Sequence, residues 1–344
     1  MMPPLTPPLV PTPVGSDAAT NRLRGRSSRR LALAVLAAAA LVAGCGAGST
    51  PPLPTVAPSP SSSAPSSNPP SPAPGCNNGD RTRVESYAPG SSPGDSATVA
   101  RIRSRGTLKV GVSADNLLFG YRNPVTGKLE GFDIDVVDEV AKSIFGTATG
   151  HVDYVVENFA QRIPDLRSGK VDMVADIMTI NCVRWAQIAF STEYFHAGQQ
   201  VLVRKNAPYK GIQDLNGKKV CTANGSTGND NLKAKFPKVQ RVLVDNISDC
   251  MVLFQQGAVE GIVSDNTVLN GFASQDPYAQ VRGPQFTDEP YGLGFNQANV
   301  DFVRYVNALL DTWRTDGTWK RIYQKWLPAP VPNPPPAVYG RALP

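Results

Sequence analysis

Thr179 and Arg184 stand five residues apart where the apolar run beginning at Val174 gives way to Thr-Ile-Asn-Cys-Val-Arg. The run reads as a buried strand leaving a sheet, and the residues after it read as a short helical turn. A strand end with free N–H groups, a hydroxyl and a guanidinium fork can together hold a carboxylate. A solvated arginine and a capping threonine share that spelling, so the pair alone does not decide the matter. Other groupings invite chemistry as well. Asn224-Gly225-Ser226-Thr227-Gly228 is a Gly/Ser/Thr loop ahead of a helix, but no Gly-Lys-Ser/Thr comes after it, which argues against a nucleotide phosphate loop. Asp133 and Asp135 have the spacing of a catalytic carboxylate pair, yet they open a predicted helix, where aspartates cap the end and complement its dipole. Asp265 follows the strand Val259–Val263 in Ser-Asp-Asn, the place of a helix N-cap. The only histidines are His151 and His196 and no Cys-x-x-Cys occurs, so neither a metal site nor a cofactor is expected.

Positioning such groups takes a fold, and 344 residues, 41% of them hydrophobic, leave room for two ordinary domains. Most of the 32 prolines lie in the first ninety-odd residues, so the folded part is shorter than the chain. No repeat of solenoid period is visible, and no apolar stretch reaches the roughly 20 residues of a membrane helix. Arg22, Arg24, Arg26, Arg29 and Arg30 precede an apolar segment, 31–43, of signal-peptide length. Val42-Ala43-Gly44-Cys45 then resembles a bacterial lipobox, which makes residues 1–44 a lipoprotein signal peptide and Cys45 the lipidated first residue of the mature chain. Ser28-Arg29-Arg30 hints at twin-arginine export without deciding the route. Five Arg and one Asp belong to that leader, so the formal charge of +6 falls to about +2 without it and gives no support to a nucleic-acid partner. Residues 45–98, rich in Pro and Ser over their first half, read as a lipid-anchored tether that cannot bury enough surface to order. The implied place of work is the outer face of the cell membrane, in a periplasmic or cell-wall space.

With Cys45 lipidated, Cys76, Cys182, Cys221 and Cys250 remain, an even number suited to an oxidising compartment. Four cysteines allow three pairings. Cys221 ends a predicted strand and Cys250 opens the next helix of the same half, which favours Cys221–Cys250 together with Cys76–Cys182. The second of these would pin the tether's end beside Thr179 and Arg184.

The fold itself is expected from about Ser96. A helix over Val99–Arg105 is followed by a strand to Val112, a hairpin turn at residues 123–128 and an amphipathic helix to about Ile144 with Val136, Val137, Val140, Ala141 and Ile144 on one face. A strand over His151–Glu157, a helix at Asp165–Ser168 and the strand Val171–Ile177 continue the alternation. Near the end, Val303, Val306, Leu310 and Trp313 form one helical stripe, and Trp319, Ile322, Tyr323 and Trp326 a second after Gly317. Alternating strands and helices argue an open α/β sheet, whose ligands bind beyond the carboxyl ends of the strands.

The blocks GTLKVGV (106–112), GKLEGFDID (127–135), QRIPDLRSGKVDMV (161–174), MTINCVR (178–184) and FSTEYF (190–195) occur in an order that resembles the family 3 extracellular solute-binding proteins. These are polar amino-acid receptors of bacterial ABC importers, and the likeness is to the glutamine/glutamate/aspartate-binding lipoproteins among them. It covers about residues 99–327. The resemblance implies a periplasmic-binding-protein-like type II fold, two α/β lobes joined by two crossing strands, at Gln199–Arg204 and about Pro290–Phe295. Lobe 1 would then be 99–200 plus 291–328, lobe 2 would be 201–290, and 329–344 a Pro-rich tail. It implies a monomer that closes on a polar amino acid and presents it to a membrane permease, without catalysis. In that reading Arg184 and Thr179 hold the α-carboxylate, Ser226 and Thr227 add hydroxyl and N–H groups to it, and Asp265 receives the ammonium, with Met178 beside Thr179 in the site. Arg162 of the Arg-Ile-Pro motif would meet a side-chain carboxylate and Phe159 would form an apolar wall. Glutamate or aspartate is therefore expected, with glutamine or asparagine tolerated. The chain departs from the family pattern at Ile177, where Gly or a small hydroxyl residue is frequent, and at Ser264-Asp265-Asn266, which replaces a doubled aspartate. Two other classes use the same closing jaws: a lipid-anchored sensor that signals to a membrane receptor, and a dehydratase-type enzyme, for which Glu157, Glu193 and Asp115 are the candidate groups.

Overall fold

The computed structural model describes residues 71–90, 96–328 and 330–344. The expected signal peptide, Cys45 and the expected tether as far as residue 70 lie outside the described residues.

Two five-stranded sheets organise the chain. The first runs in the order Val152–Val156, Leu108–Val112, Met173–Ala175, Gly294–Phe295, Ala189–Phe190. Its first three strands are parallel, and Gly294–Phe295 lies antiparallel to both neighbours. The parallel strands come from helix crossovers, and Leu108, Val110 and Val112, which alternate onto one face of the sheet, are all buried. Helix Ala97–Arg105 begins with the Ser96 hydroxyl accepting from Val99 N and ends at Gly106, whose φ of 85° turns the chain into the first strand. Helix Phe132–Phe145 buries Val136, Val137, Val140, Ala141 and Ile144, the face that its periodicity predicts. The second sheet repeats the plan in the order Gln240–Val244, Lys219–Ala223, Gly261–Asp265, Gln199–Arg204, Ala279–Arg282. Here too three strands are parallel and the fourth, Gln199–Arg204, is antiparallel to its neighbours. Helices Val300–Asp316 and Thr318–Trp326 then return to the first sheet, with Val303, Val306, Leu310, Trp313, Trp319 and Ile322 buried.

The first crossing lies before Gln199–Arg204, and the second overlaps the expected Pro290–Phe295 only at Pro290 and Tyr291. Phe195–Ala197 pairs antiparallel with Glu289–Tyr291, and these two short strands connect the sheets. Gln199–Arg204 belongs inside the second sheet and Gly294–Phe295 inside the first. An apolar run has the same spelling in a connector and in a sheet interior; only its ladder partners, far along the chain, tell them apart.

The fold also starts earlier than Ser96. Ala73 is buried and its N–H donates to Cys182 O at 2.9 Å. Ser86 is fully buried, donates to Phe190 O at 2.7 Å and accepts from Asn307 Nδ2 at 2.9 Å. Residues 73–90 are thus part of the body, not of a tether reaching to 98. They lack a periodic face because backbone and polar side-chain bonds hold them, and disulfides Cys76–Cys182 and Cys221–Cys250 are both formed. The end of the chain packs beside this segment. Tyr339 forms a bridge with Ser86, Arg341 stacks 3.7 Å above the Trp185 ring, and Pro335 O accepts from Arg314 Nε at 2.8 Å.

Candidate functional site

Strand Met173–Ala175 delivers Asp176, Ile177, Met178 and Thr179 beyond the carboxyl edge of the first sheet, and strand Gly261–Asp265 delivers Asp265 at the edge of the second. Ile177 is a β-branched residue at φ 39°, where such side chains are strained. Asp133 fixes it there: its carboxylate accepts from Ile177 N at 2.9 Å and from Tyr194 OH at 2.7 Å. Asp133 is therefore a buried brace and not the helix-end cap expected of it, while Asp135 turns outward to Lys325 and Trp326.

Arg184 comes from the turn Cys182–Trp185, opened by Asn181, whose side chain accepts from Arg184 N at 2.9 Å. Its Nη1 donates to Thr179 O at 2.7 Å and its Nη2 to Gly225 O, across the gap, at 3.1 Å. Arg162 opens helix Arg162–Ser168 and stacks 4.3 Å from the centre of the Phe159 ring. It donates to Phe159 O at 3.1 Å and Asp176 O at 2.8 Å, and sends Nη2 to the same Gly225 O at 3.3 Å. Two guanidinium groups thus converge on one carbonyl oxygen. Burial, and then the neighbouring Arg162 charge, pulls the Arg184 pKa down to about 10.

From the second sheet, Ser226 caps helix Thr227–Lys235, accepting from Asn229 N at 3.2 Å and donating to Ala223 O at 2.6 Å. Asp265 opens helix Asn266–Gln275 without a side-chain cap bond; its carboxylate instead accepts from Tyr291 OH at 2.7 Å. Burial, reinforced by the Glu289 charge, raises its pKa to about 7. Phe159, Arg162, Thr179 and Arg184 on one side, with Ser226, Thr227 and Asp265 on the other, border a single gap, joined by Ile177, Gly228 and Ser264. As it stands the gap has space for about one water molecule. Met178 is not at this gap. Its side chain points into the core, with Sδ near Gly294, because alternate residues of the edge face opposite ways and Ile177 and Thr179 take the cleft side.

Three residues of the site carry no signal in the local sequence. Glu289, Gln199 and Asn231 form a polar network with Thr179 and Thr227 in which every contact spans at least 28 residues of chain.

The gap is shut by a close approach. Gly225 has φ +70°, and a Cβ placed on it would come within 2.6 Å of Ala160 Cα. A Gly225→Ala protein is expected to be held open, with a larger radius of gyration in small-angle scattering than the parent; identical scattering curves would contradict the geometry.

None of the three groups singled out for catalysis lines this gap, and two of them are hydrogen-bonded elsewhere. Glu193 accepts from His196 Nδ1 at 2.7 Å, and Asp115 accepts from Ser113 Oγ at 2.7 Å and Ser248 N at 3.1 Å. Glu157 is buried over Gly111, and neither of its carboxyl oxygens has a hydrogen-bond partner among the described residues. Burial, then the Asp176 charge, raises the Glu157 pKa to about 9; burial likewise raises Asp133 and Asp176 to about 7. A carboxyl whose folded pKa lies above its unfolded value binds its proton more tightly when folded, so its contribution is full at low pH and is lost as pH rises through the folded value. Stability should therefore decline between about pH 5 and pH 9. Glu157→Gln should flatten the alkaline end of that curve and stabilise the protein at pH 9 by roughly 1–3 kcal/mol in urea unfolding.

Comparison with known proteins matches residues 108–329 to the bacterial extracellular solute-binding proteins, family 3. The chain is 34% identical to the ABC transporter glutamine-binding protein GlnH of Bacillus subtilis (strain 168) over 231 residues, 67% of this chain and 84% of that protein. It is 32% identical over 250 residues, 70% of this chain and 84% of its relative, to the glutamate-binding protein GluB of Corynebacterium glutamicum. An ancestral arginine-binding protein solved with arginine bound superimposes with a TM-score of 0.61 at 38% identity, over 65% of this chain and 99% of that one.

Proposed function

Because the chain belongs to the bacterial extracellular solute-binding proteins of family 3, we propose that it captures glutamate or aspartate outside the cytoplasm and presents it to an ABC permease for import. Membership makes it a binding protein and not an enzyme, and the relatives that bind glutamine and glutamate support an amino acid as cargo.

The observation that carries the reading is the convergence of Arg162 and Arg184 on Gly225 O. A lone carbonyl oxygen is a weak partner for two buried guanidinium groups, and a carboxylate in its place would make charge-assisted and bidentate bonds. In this reading the ligand's α-carboxylate meets Arg184 with Thr179, Ser226 and Thr227, its ammonium meets Asp265, and a side-chain carboxylate meets Arg162 beside Phe159. The sheets act as jaws that pivot at Phe195–Ala197 and Glu289–Tyr291 and open to admit the ligand. Cys45 anchors the whole to the membrane.

Arg162 also forks onto Phe159 O and Asp176 O, so its role in selectivity has a direct test. The parent protein should be stabilised by glutamate and aspartate in a thermal-shift screen of the twenty amino acids, by ~4 kcal/mol at a thousand times Kd. Arg162→Ala should lose most of its preference for aspartate over asparagine. A variant that keeps this preference would remove Arg162 from the selectivity site; a parent that responds to no amino acid would overturn the function itself.

A further inference from the structure

Glu289 heads the crossing strand Glu289–Tyr291 and is 2% exposed. Its Oε2 accepts from Thr179 Oγ1 of the first sheet's edge at 2.7 Å and from Thr227 Oγ1 of the second half at 2.8 Å. Asn231 Nδ2 approaches its Oε1 at 3.4 Å, and the Thr227 hydroxyl in turn accepts from Gln199 Nε2 at 2.9 Å. A hydroxyl has one proton to give. With both protons aimed at Glu289, neither threonine can donate to a carboxylate arriving in the cleft, and the wall they form presents lone pairs and a negative charge. A zwitterion that puts its carboxylate at Arg184 and Thr179 would meet repulsion there unless the glutamate leaves.

We propose that Glu289 is a built-in carboxylate that occupies the hydroxyl donors of the ligand's carboxylate in the ligand-free protein, clasping the two halves together, and that ligand binding expels it. The proposal rests on the proposed function, in which the ligand's α-carboxylate lies at Arg184 and Thr179. Two features fit the exchange. Thr179 and Thr227 come from opposite halves, so a single carboxylate can tie the jaws as a ligand's would. Glu289 also borders an open groove lined by Arg81, Arg83 and Lys235 together with Asp80, Glu193, Asp230 and Asp288; Arg81 and Arg83 are paired with Glu85 and Asp288, so Lys235 is the cation that an expelled carboxylate would meet there. Glu289 thereby sets affinity: the ligand must out-compete an internal group that is always present.

The test compares parent, Glu289→Ala and Glu289→Gln. Glutamine has the same shape and one acceptor oxygen but no charge, and keeps the test readable if the alanine protein does not fold. Isothermal titration calorimetry with glutamate should show both variants binding about tenfold tighter than the parent, which corresponds to ~1.4 kcal/mol. Small-angle scattering of the ligand-free proteins should show the alanine variant more expanded than the parent. Unchanged or weaker glutamate binding in both variants would overturn the proposal, because it would mean that Glu289 stays in place or helps hold the ligand. Unchanged scattering of a folded alanine variant would overturn the clasp. A parent that binds no amino acid would sink the assignment of function, and the scattering comparison would still decide whether Glu289 ties the halves together.

Discussion

Arg184→Ala is expected to weaken glutamate binding by on the order of 10²–10³-fold in titration calorimetry. Burial is the reason. Arg184 is 6% exposed, and its guanidinium is held by Thr179 O on its own side and Gly225 O across the gap. The side chain is thus already in place for a carboxylate and needs little reordering when one arrives. Removing it leaves the ligand's carboxylate desolvated without its main counter-charge, which typically costs about 3–5 kcal/mol. Arg162, with two of its bonds committed to carbonyls of its own half, cannot swing over to compensate. Arg184→Lys should recover only part of the loss, because an ammonium cannot make the paired bonds of a planar fork. Undiminished affinity in Arg184→Ala would require the carboxylate to sit elsewhere.

The second large effect concerns stability. Replacing Cys76 with Ser should lower the unfolding free energy by roughly 2–5 kcal/mol in guanidinium titration under non-reducing conditions. The bridge to Cys182 spans 106 residues, against 29 for Cys221–Cys250, so it removes more freedom from the unfolded chain. It also secures a segment with little else to bury: Ala73 N donates to Cys182 O, and Cys182 N donates to Asn78 Oδ1 at 2.8 Å. Losing the bridge should therefore loosen residues 73–84 first, visible as faster amide exchange there than in the strands. A stability change no larger than that of Cys221→Ser would contradict the dependence on loop length.

Much of this architecture can be read from the residues in order. The strand Leu108–Val112 alternates its aliphatic residues about Lys109, Gly261–Asp265 carries Ile and Val before its polar end, and the helix of Val136, Val140 and Ile144 shows its period, because burial of one face leaves a local pattern. Thr179, Arg184, Ser226, Thr227 and Asp265 sit at strand ends and helix starts, where the chain must expose polar groups to a cleft. The remainder depends on partners far along the chain. Glu289 gains meaning only through Thr179, 110 residues away, and Asp133 only through Tyr194, 61 away. Met178 reads as a site residue because Thr179 is its neighbour, although the alternation of a strand edge sends it to the core. Residues 73–90 read as tether because a segment held by a disulfide and single hydrogen bonds leaves no periodic trace.

Arg83 is ion-paired with Asp288, immediately before the crossing strand, and its carbonyl accepts from Trp185 Nε1 at 2.7 Å. Among the described residues, the chain that leads back toward residue 71 is therefore held beside the crossing strand and at the first sheet. A pull along that chain is delivered on the axis about which the halves would turn, where it exerts little torque. In the proposed jaw motion the second sheet is the part that swings, so tension on the chain before residue 71 would leave the position of the jaws unbiased.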